Sequence, residues 1–310
     1  MQNKALKIVV LGTGGTLAGT ADDPGDNIGY LAAQLGITEL IARITALAGV
    51  ELECEQVAQI DSKDMDYAVW RELAERVAYH VARNDVAGVV VTHGTDTLEE
   101  TAYLLQRVLA PTKPVVLTAA MRPATALLSD GPQNIVDAVR VAQHAGAKGV
   151  VAVLAGCVHS AFDVRKRHTY RLDAFGSGDA GPLGVMQEGA LTLWRAWPGG
   201  RALGLQTLAR ETPPRVEIVT SHGGADGGIV DALCAHGVAG IVVAGTGNGT
   251  LHHRLEAALR RARDEGGVRI LRCSRVAQGA VLSTADDAFE SAGSLTPAQA
   301  RVELLLRLLG

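Results

Sequence analysis

Short apolar runs rich in β-branched residues recur along the chain and alternate with amphipathic stretches. Continuous runs of this kind are typical of strands buried on both faces, as in a parallel sheet covered by helices. The runs are KIVVLGT (7–13), AGVVVTHG (87–94), KPVVLTAA (113–120), GVVAVLAG (149–156), RVEIVTSHG (215–223), AGIVVAGTG (239–247) and VRILRCSR (268–275). Helical periodicity marks residues 64–82, 98–109, 134–144, 251–263 and 297–309. The alternation predicts βαβ units and a wound α/β fold.

The pattern breaks at residues 191–213, where Gly, Pro and polar residues follow one another with no sustained period. We therefore predict a linker there, between a larger N-terminal catalytic α/β domain (1–190) and a smaller C-terminal α/β domain (214–310). A chain of 310 residues, 47% of them hydrophobic, is long enough for two buried cores.

Composition and charge narrow the classes of partner. The formal net charge is −4 and the basic residues are scattered, so we expect neither nucleic acid nor a membrane surface as a partner. The four cysteines have no metal-ligand or redox spacing and are predicted to be reduced core thiols. Residues 1–7 lead directly into a strand, which predicts no leader and a cytoplasmic protein, with a periplasmic mature form as the alternative.

Four polar segments directly follow predicted strands, where wound sheets bind their ligands: residues 12–16, 93–97, 119–130 and 245–250. The first, GTGGT, lacks the third glycine of a dinucleotide fingerprint, because position 17 is leucine. This argues against a nucleotide-dependent oxidoreductase. Thr16 either satisfies turn backbone or carries chemistry, beside a glycine-rich segment that has the composition of a mobile loop.

The second polar segment leaves two interpretations open for each of its main residues. Asp96 stands three residues before Glu99, a spacing that resembles a capping box and by residue type favours a helix cap, but a carboxylate here could also hold a substrate ammonium group. Lys166 is either a solvated surface charge or, if buried beside cations, a base that relays a proton with Thr95. His93 is predicted to orient its turn, and no histidine group has metal-ligand spacing.

Five motifs resemble the bacterial-type L-asparaginase/glutaminase family over nearly the whole chain: TGGTLAG, HGTDTLEETA, AAMRPATALLSDGPQN, GTGNGT and SRVAQGAV. The resemblance implies hydrolysis of the L-asparagine side-chain amide to L-aspartate and ammonia through a threonine acyl-enzyme, with no cofactor or metal. The residues that it implies to be catalytic are Thr16 as nucleophile, Tyr30 as lid tyrosine, and Thr95, Asp96 and Lys166 as a proton-relay group. Those that it implies to bind substrate are Asp61, Ser62, Thr95, Asp96 and Asn248.

Family membership would also imply a homotetramer, a dimer of dimers in which Asn248 reaches across to the partner's site. The chain departs from the family pattern at Lys63, Arg254 and Thr284. These departures bear on affinity and on the balance between asparagine and glutamine.

Three alternatives therefore accompany L-asparagine hydrolysis. The first is a glutaminase-asparaginase or a hydrolase for another small amide. Asparagine and glutamine differ by one methylene, so the sequence is a poor guide to which of them is preferred. The second is a non-catalytic amino-acid-binding module, and the third is the oxidoreductase disfavoured above.

Overall fold

The computed structural model describes residues 6–310, which fall into two compact α/β units, the first ending at Leu205 and the second spanning Gln206–Gly310. The predicted fold class, two wound α/β domains with the larger one first, is confirmed. The interval 191–213 includes the division between the units, and its first residues still belong to a strand of the first unit. The prediction that the chain has no leader was made from residues 1–7, and the first five of these lie outside the described residues.

The first unit is built on an eight-stranded sheet accompanied by a two-stranded ribbon. Its strands are β1 (Lys7–Gly14), β2 (Leu52–Ile60), β3 (Val86–Thr92), β4 (Pro114–Thr118), β5 (Gly149–Leu154), β6 (Cys157–Ser160), β7 (Arg165–Lys166), β8 (Phe175–Gly176), β9 (Gly184–Gln187) and β10 (Ala190–Leu193). The sheet order is β10-β9-β6-β5-β4-β3-β1-β2, and β7 pairs with β8 outside it. Strands β2, β1, β3, β4 and β5 are parallel, whereas β6, β9 and β10 are antiparallel.

Four helices belong to this unit: α1 (Ile37–Ala42), α2 (Tyr67–Ala82), α3 (Leu98–Leu109) and α4 (Gly131–Gln143). Helix α3 has the predicted bounds. Helix α2 begins three residues later than predicted, because the Asp66 carboxylate accepts a hydrogen bond from Val69 N at 2.9 Å and caps the helix there. Helix α4 begins three residues before its periodic stretch, directly after Asp130, and holds Pro132 in its first turn, a position that needs no amide hydrogen.

The core of the first unit explains why its central strands have no alternating polar face. Residues 8–11 of β1 and 89–91 of β3 are fully buried. Helices α2, α3 and α4 pack against the central strands, so both faces of the sheet are covered. The polar segments that follow β1, β3 and β4 therefore leave the sheet at one edge, the carboxyl edge of its parallel strands.

The second unit has a four-stranded parallel sheet of its own, in the order β11-β12-β13-β14. Its strands are β11 (Val216–Thr220), β12 (Gly240–Gly245), β13 (Arg269–Ser274) and β14 (Glu290–Ser291), and its helices are α5 (Gly228–Ala235), α6 (His253–Asp264) and α7 (Pro297–Leu309). Buried Ile241, Val243, Leu255 and Leu259 belong to one apolar cluster between sheet and helices. A capping box between Thr296 and Gln299 starts α7 at the predicted residue.

Candidate active site

The carboxyl ends of β1 and β3 meet backbone to backbone. A side chain on Gly15, whose φ is +78°, would overlap the backbone of Gly94, and one on Gly94 would overlap the Ser62 side chain. Thr13 is buried beside this contact, and its hydroxyl donates to Thr92 O at 2.9 Å. Glycine is therefore required sterically at both positions, and Thr16 and Thr95 are the residues that directly follow these two glycines.

Thr16 follows this junction in a single turn of 3-10 helix and is 8% exposed. Its Oγ1 lies 2.6 Å from the hydroxyl oxygen of Tyr30, which is half-buried. The Tyr30 ring rests against Gly19, where a Cβ would come within 2.8 Å of ring atom Cδ2. The Thr16 hydroxyl thus has a tyrosine hydroxyl as its partner in addition to its place in a turn.

Lys166 lies on the ribbon β7–β8 and contacts the segment after β3. Its Nζ donates to Asp96 Oδ1 at 2.6 Å and to Thr95 Oγ1 at 2.9 Å. The lysine side chain is 22% exposed and the aspartate side chain 51%. The neighbours of the amine are therefore a carboxylate and a hydroxyl, and neither the surface-charge interpretation nor burial among cations describes this lysine.

The capping interpretation of Asp96 is wrong. Helix α3 begins at Leu98 with Thr97 as its N-cap residue, and the Asp96 carboxylate accepts from Lys166 instead. Glu99, the other half of the expected capping box, accepts a hydrogen bond from Lys166 N at 2.9 Å. Sequence reasoning missed this role of Glu99, because the residues are 67 positions apart.

Ser62 is buried between the two polar segments that follow β1 and β3. Its Oγ accepts a hydrogen bond from Asp96 N at 3.1 Å, and its carbonyl accepts one from Thr97 Oγ1 at 2.8 Å. A hydroxyl that accepts one hydrogen bond still carries a proton for an anionic acceptor. The Asp61 carboxylate accepts from Lys63 Nζ at 2.8 Å and caps the short turn that contains Ser62.

His93 packs in the core and orients the turn that follows β3. It is fully buried, and its ring nitrogens contact Gly94 O at 2.7 Å and Thr101 Oγ1 at 3.0 Å. Thr101 in turn accepts from the Trp70 indole at 2.9 Å. Burial lowers the pKa of His93 to about 4, so the imidazole is neutral near pH 7 and acts by orienting its neighbours.

Asn248 belongs to the second unit, in the turn after β12. Its side-chain amide donates to Leu282 O at 3.0 Å and accepts from Leu282 N at 2.8 Å, which ties this turn to the segment after β13. The departures at Arg254 and Thr284 lie in the same unit: Arg254 is in the first turn of α6, and the Thr284 hydroxyl donates to Asp287 Oδ1 at 3.2 Å.

Within residues 6–310, no group of three or more His, Cys, Asp or Glu side chains could hold a metal ion. No helix in that range is both long and apolar enough to span a bilayer. The cysteines are free, and only Cys273 is fully buried, where burial raises the pKa of its thiol to about 12. The expectation of core thiols therefore holds for Cys273, whereas Cys54, Cys157 and Cys234 are half-buried.

The first unit thus places the nearly buried Thr16 hydroxyl beside a tyrosine hydroxyl, and it places the Thr95 hydroxyl in a hydrogen bond with the Lys166 amine. A hydroxyl becomes a nucleophile when a neighbouring group accepts its proton, and the tyrosine and the lysine amine are the candidate acceptors. An exposed carboxylate and a serine hydroxyl flank these groups. A small zwitterion, with one ammonium and one carboxylate, has matching partners in these two groups.

Comparison with protein-family models and with known proteins shows which proteins this chain is similar to. Residues 7–198 match the model described as asparaginase, N-terminal, and residues 215–309 match that of the glutaminase/asparaginase C-terminal domain. The chain is 37% identical to the glutaminase-asparaginase of Pseudomonas fluorescens biotype A, over 99% of this chain and 87% of the relative. It is also 37% identical to L-asparaginase 2 of Escherichia coli, over 97% and 88%. A crystal structure of a probable cytoplasmic L-asparaginase from Campylobacter jejuni superposes with a TM-score of 0.92 at 37% identity, over 98% and 95%.

Proposed function

Because this chain belongs to the asparaginase/glutaminase family, we propose that it is an amidohydrolase that cleaves the side-chain amide of L-asparagine to L-aspartate and ammonia. The observation that carries the proposal is the geometry around Thr16, with Tyr30 at 2.6 Å and the Lys166–Thr95 pair on the adjacent segment. These are the residues that the family resemblance assigned to catalysis. No metal or cofactor has a role in the proposed reaction.

Thr16 is the proposed nucleophile. Its Oγ1 attacks the amide carbon, the hydroxyl proton passes to a neighbouring acceptor, and the carbonyl oxygen becomes an oxyanion. The acceptor is either Tyr30 Oη as a phenolate or Lys166 Nζ as a neutral amine, which the proton reaches through the Thr95 hydroxyl. Backbone N–H groups of the glycine-rich turn are the proposed donors to the oxyanion, since no side chain blocks their approach there.

The tetrahedral intermediate collapses when the carbon–nitrogen bond breaks. The nitrogen takes the proton given up by Thr16 and leaves as ammonia, while Thr16 Oγ1 keeps the acyl group as an ester. Water then attacks the ester carbon and gives one proton back to Thr16. L-Aspartate leaves, and the threonine hydroxyl is restored.

Substrate recognition in this proposal uses the two groups that flank the threonines. The half-exposed Asp96 carboxylate binds the α-ammonium group, and the Ser62 hydroxyl donates to the α-carboxylate. Asp61, which holds the Ser62 turn, contributes through that turn. Asn248 of the partner subunit completes the site in the homotetramer that we propose, a dimer of dimers.

A glutaminase-asparaginase activity is the second candidate. The observation in its favour is that relatives with that name and with the name L-asparaginase match this chain at the same 37% identity. The two substrates differ by one methylene, worth about 1–3 kcal/mol in a pocket. A cytoplasmic location is proposed on the name of the Campylobacter protein, and a periplasmic one on that of a Haemophilus influenzae relative is the alternative.

The test is ammonia release by the purified protein from L-asparagine, L-glutamine and D-asparagine, each over a millimolar range. We expect release from L-asparagine that Thr16→Ala abolishes, and the ratio to L-glutamine decides between the two candidates. Binding of L-asparagine without ammonia release would refute the proposal and establish the amino-acid-binding alternative.

A further inference from the structure

The segment that carries Tyr30 is a loop closed at its base. Thr20 and Leu31 form an antiparallel bridge, with hydrogen bonds of 2.9 Å from Thr20 N to Leu31 O and 2.8 Å from Leu31 N to Thr20 O. We call residues 20–31 the lid. Tyr30 is adjacent to this bridge, so the position of the bridge sets the distance between the tyrosine and Thr16.

Apolar burial does little to hold the lid in place. Ile28 is 81% exposed and Leu31 is 66% exposed, and the turns within the lid are closed by the carboxylates of Asp23 and Asp26. A segment that buries so little apolar surface opens at low free-energy cost unless hydrogen bonds to the rest of the protein hold it.

Those hydrogen bonds come from residues 121–130, which we call the supporting loop. This loop is itself fixed by Asp130, whose carboxylate accepts from Met121 N and Arg122 N, each at 3.0 Å. The same carboxylate accepts from Asn134 Nδ2 at 3.1 Å, in the first turn of α4. The supporting loop is therefore tied to a buried helix and provides a rigid surface.

Thr125 joins the two loops through its side chain. Its Oγ1 accepts a hydrogen bond from Ala21 N at 2.8 Å and donates one to Ala21 O at 3.2 Å. Two backbone hydrogen bonds flank it, Ala124 N to Gly19 O at 2.9 Å and Leu127 N to Pro24 O at 3.1 Å. A single hydroxyl thus satisfies both polar backbone groups of Ala21, the residue next to the bridge.

We propose that Thr125 is a positioning residue for Tyr30: its hydroxyl holds the lid on the supporting loop and thereby keeps the tyrosine beside Thr16. This inference rests on the proposed function, in which Tyr30 acts on the Thr16 hydroxyl. Thr125 is 104 positions from Ala21 and acts only through the lid.

Two substitutions separate the hydroxyl from the shape of the side chain. Thr125→Val keeps the branched shape and removes both hydrogen bonds, whereas Thr125→Ser keeps the hydroxyl. The first measurement is hydrogen–deuterium exchange of peptides that cover residues 17–31, which does not depend on turnover. The second is kcat and KM for L-asparagine, with circular dichroism and melting temperature as checks on the fold.

We expect exchange in the lid to rise roughly three- to tenfold in Thr125→Val, the effect of a net hydrogen bond on an opening equilibrium. We expect kcat/KM to fall by a similar factor, and Thr125→Ser to restore both quantities. Unchanged lid exchange, or unchanged kcat/KM in a folded Thr125→Val, would overturn the proposal. If Thr125→Val does not fold, Thr125→Ala replaces it: faster exchange in the lid of the folded variant supports the proposal, and unchanged exchange overturns it. If the wild-type protein releases no ammonia, the proposed function fails, and the exchange result alone decides whether Thr125 holds the lid.

Discussion

Replacement of Lys166 by methionine should separate activity from stability. Lys166 Nζ donates to Asp96 Oδ1 and Thr95 Oγ1, at 2.6 and 2.9 Å. Methionine occupies the space of the lysine stem but offers no donor, so the two acceptors lose their shared partner while the packing is largely kept.

The structure sets the expected cost for the fold. An ion pair with an aspartate that is 51% exposed contributes about 0–1 kcal/mol, and the hydrogen bond to the buried Thr95 hydroxyl about 1 kcal/mol. A total of at most about 2 kcal/mol lowers the melting temperature by no more than about 8 °C in a domain of this size. Loss of a proton relay, in contrast, lowers kcat by about 10²–10⁴-fold, equivalent to about 3–5 kcal/mol of transition-state stabilisation.

The assay is ammonia release from L-asparagine, measured beside thermal melting for each variant. Lys7→Met is the matched control, because Lys7 is 30% exposed and also pairs with two carboxylates, those of Glu53 and Asp85, at the start of β1. We expect the control to lose a similar amount of stability and to keep its kcat. A Lys166→Met variant that loses stability but retains turnover would refute the proposed relay.

Three further outcomes follow from the geometry. Tyr30→Phe removes the hydroxyl 2.6 Å from Thr16 Oγ1, so kcat should fall about 10²-fold or more while the melting temperature changes little. An unaltered kcat would mean that Lys166, through Thr95, is the sole acceptor of the Thr16 proton. Gly15→Ala should lower the free energy of unfolding, measured with urea, by about 1–3 kcal/mol more than Gly146→Ala does. Both glycines have φ near +80°, but only at Gly15 would a Cβ overlap neighbouring backbone, so equal losses would contradict this reasoning. The third outcome concerns pH. The pKa of His93 is about 4 in the folded protein and 6.5 in the unfolded chain, so the unfolded chain binds the extra proton first as pH falls. The contribution of His93 to the free energy of unfolding should therefore drop by up to about 3 kcal/mol between pH 6.5 and pH 4. The free energy of unfolding of His93→Gln, measured by urea titration at each pH, should fall less steeply over that range.

The sequence predicts the buried strands of this fold well and its edges poorly. Each of the seven apolar runs forms a strand, because strands covered on both faces must be apolar throughout. The short strands β6, β7, β10 and β14, of two to four residues each, were missed, and so was the longer strand β2. It lies at the end of the sheet, and its Glu53 and Glu55 pair with Arg83 and Arg76, so it lacks the apolar continuity used as the criterion. Helices α1 and α5 were also missed, because six and eight residues are too few to show a period.

For the site, residue types and their placement after strands led to the right segments but could not decide between interpretations. Whether Asp96 caps a helix or faces Lys166 depends on a ribbon 70 residues away, and nothing local to Asp96 encodes that ribbon. The roles of Glu99 and Thr125 were missed for the same reason. Family resemblance supplied the grouping that spacing alone could not, and the structure brings Thr16 to Tyr30 and Thr95 and Asp96 to Lys166.

The long sequence separations in this site bear on how the protein acquires its activity as it folds. The contact between Lys166 and Thr95 spans 71 residues, and that between Thr125 and Ala21 spans 104. Bringing together residues so far apart in sequence costs chain entropy, and contacts between sequence neighbours do not offset this cost. The contacts of Lys166 with Thr95 and of Thr125 with Ala21 therefore form once the parallel sheet already holds its strands together. Recovery of turnover should therefore lag behind recovery of secondary structure when the denatured chain is refolded, because the proposed catalytic groups are among the last to meet.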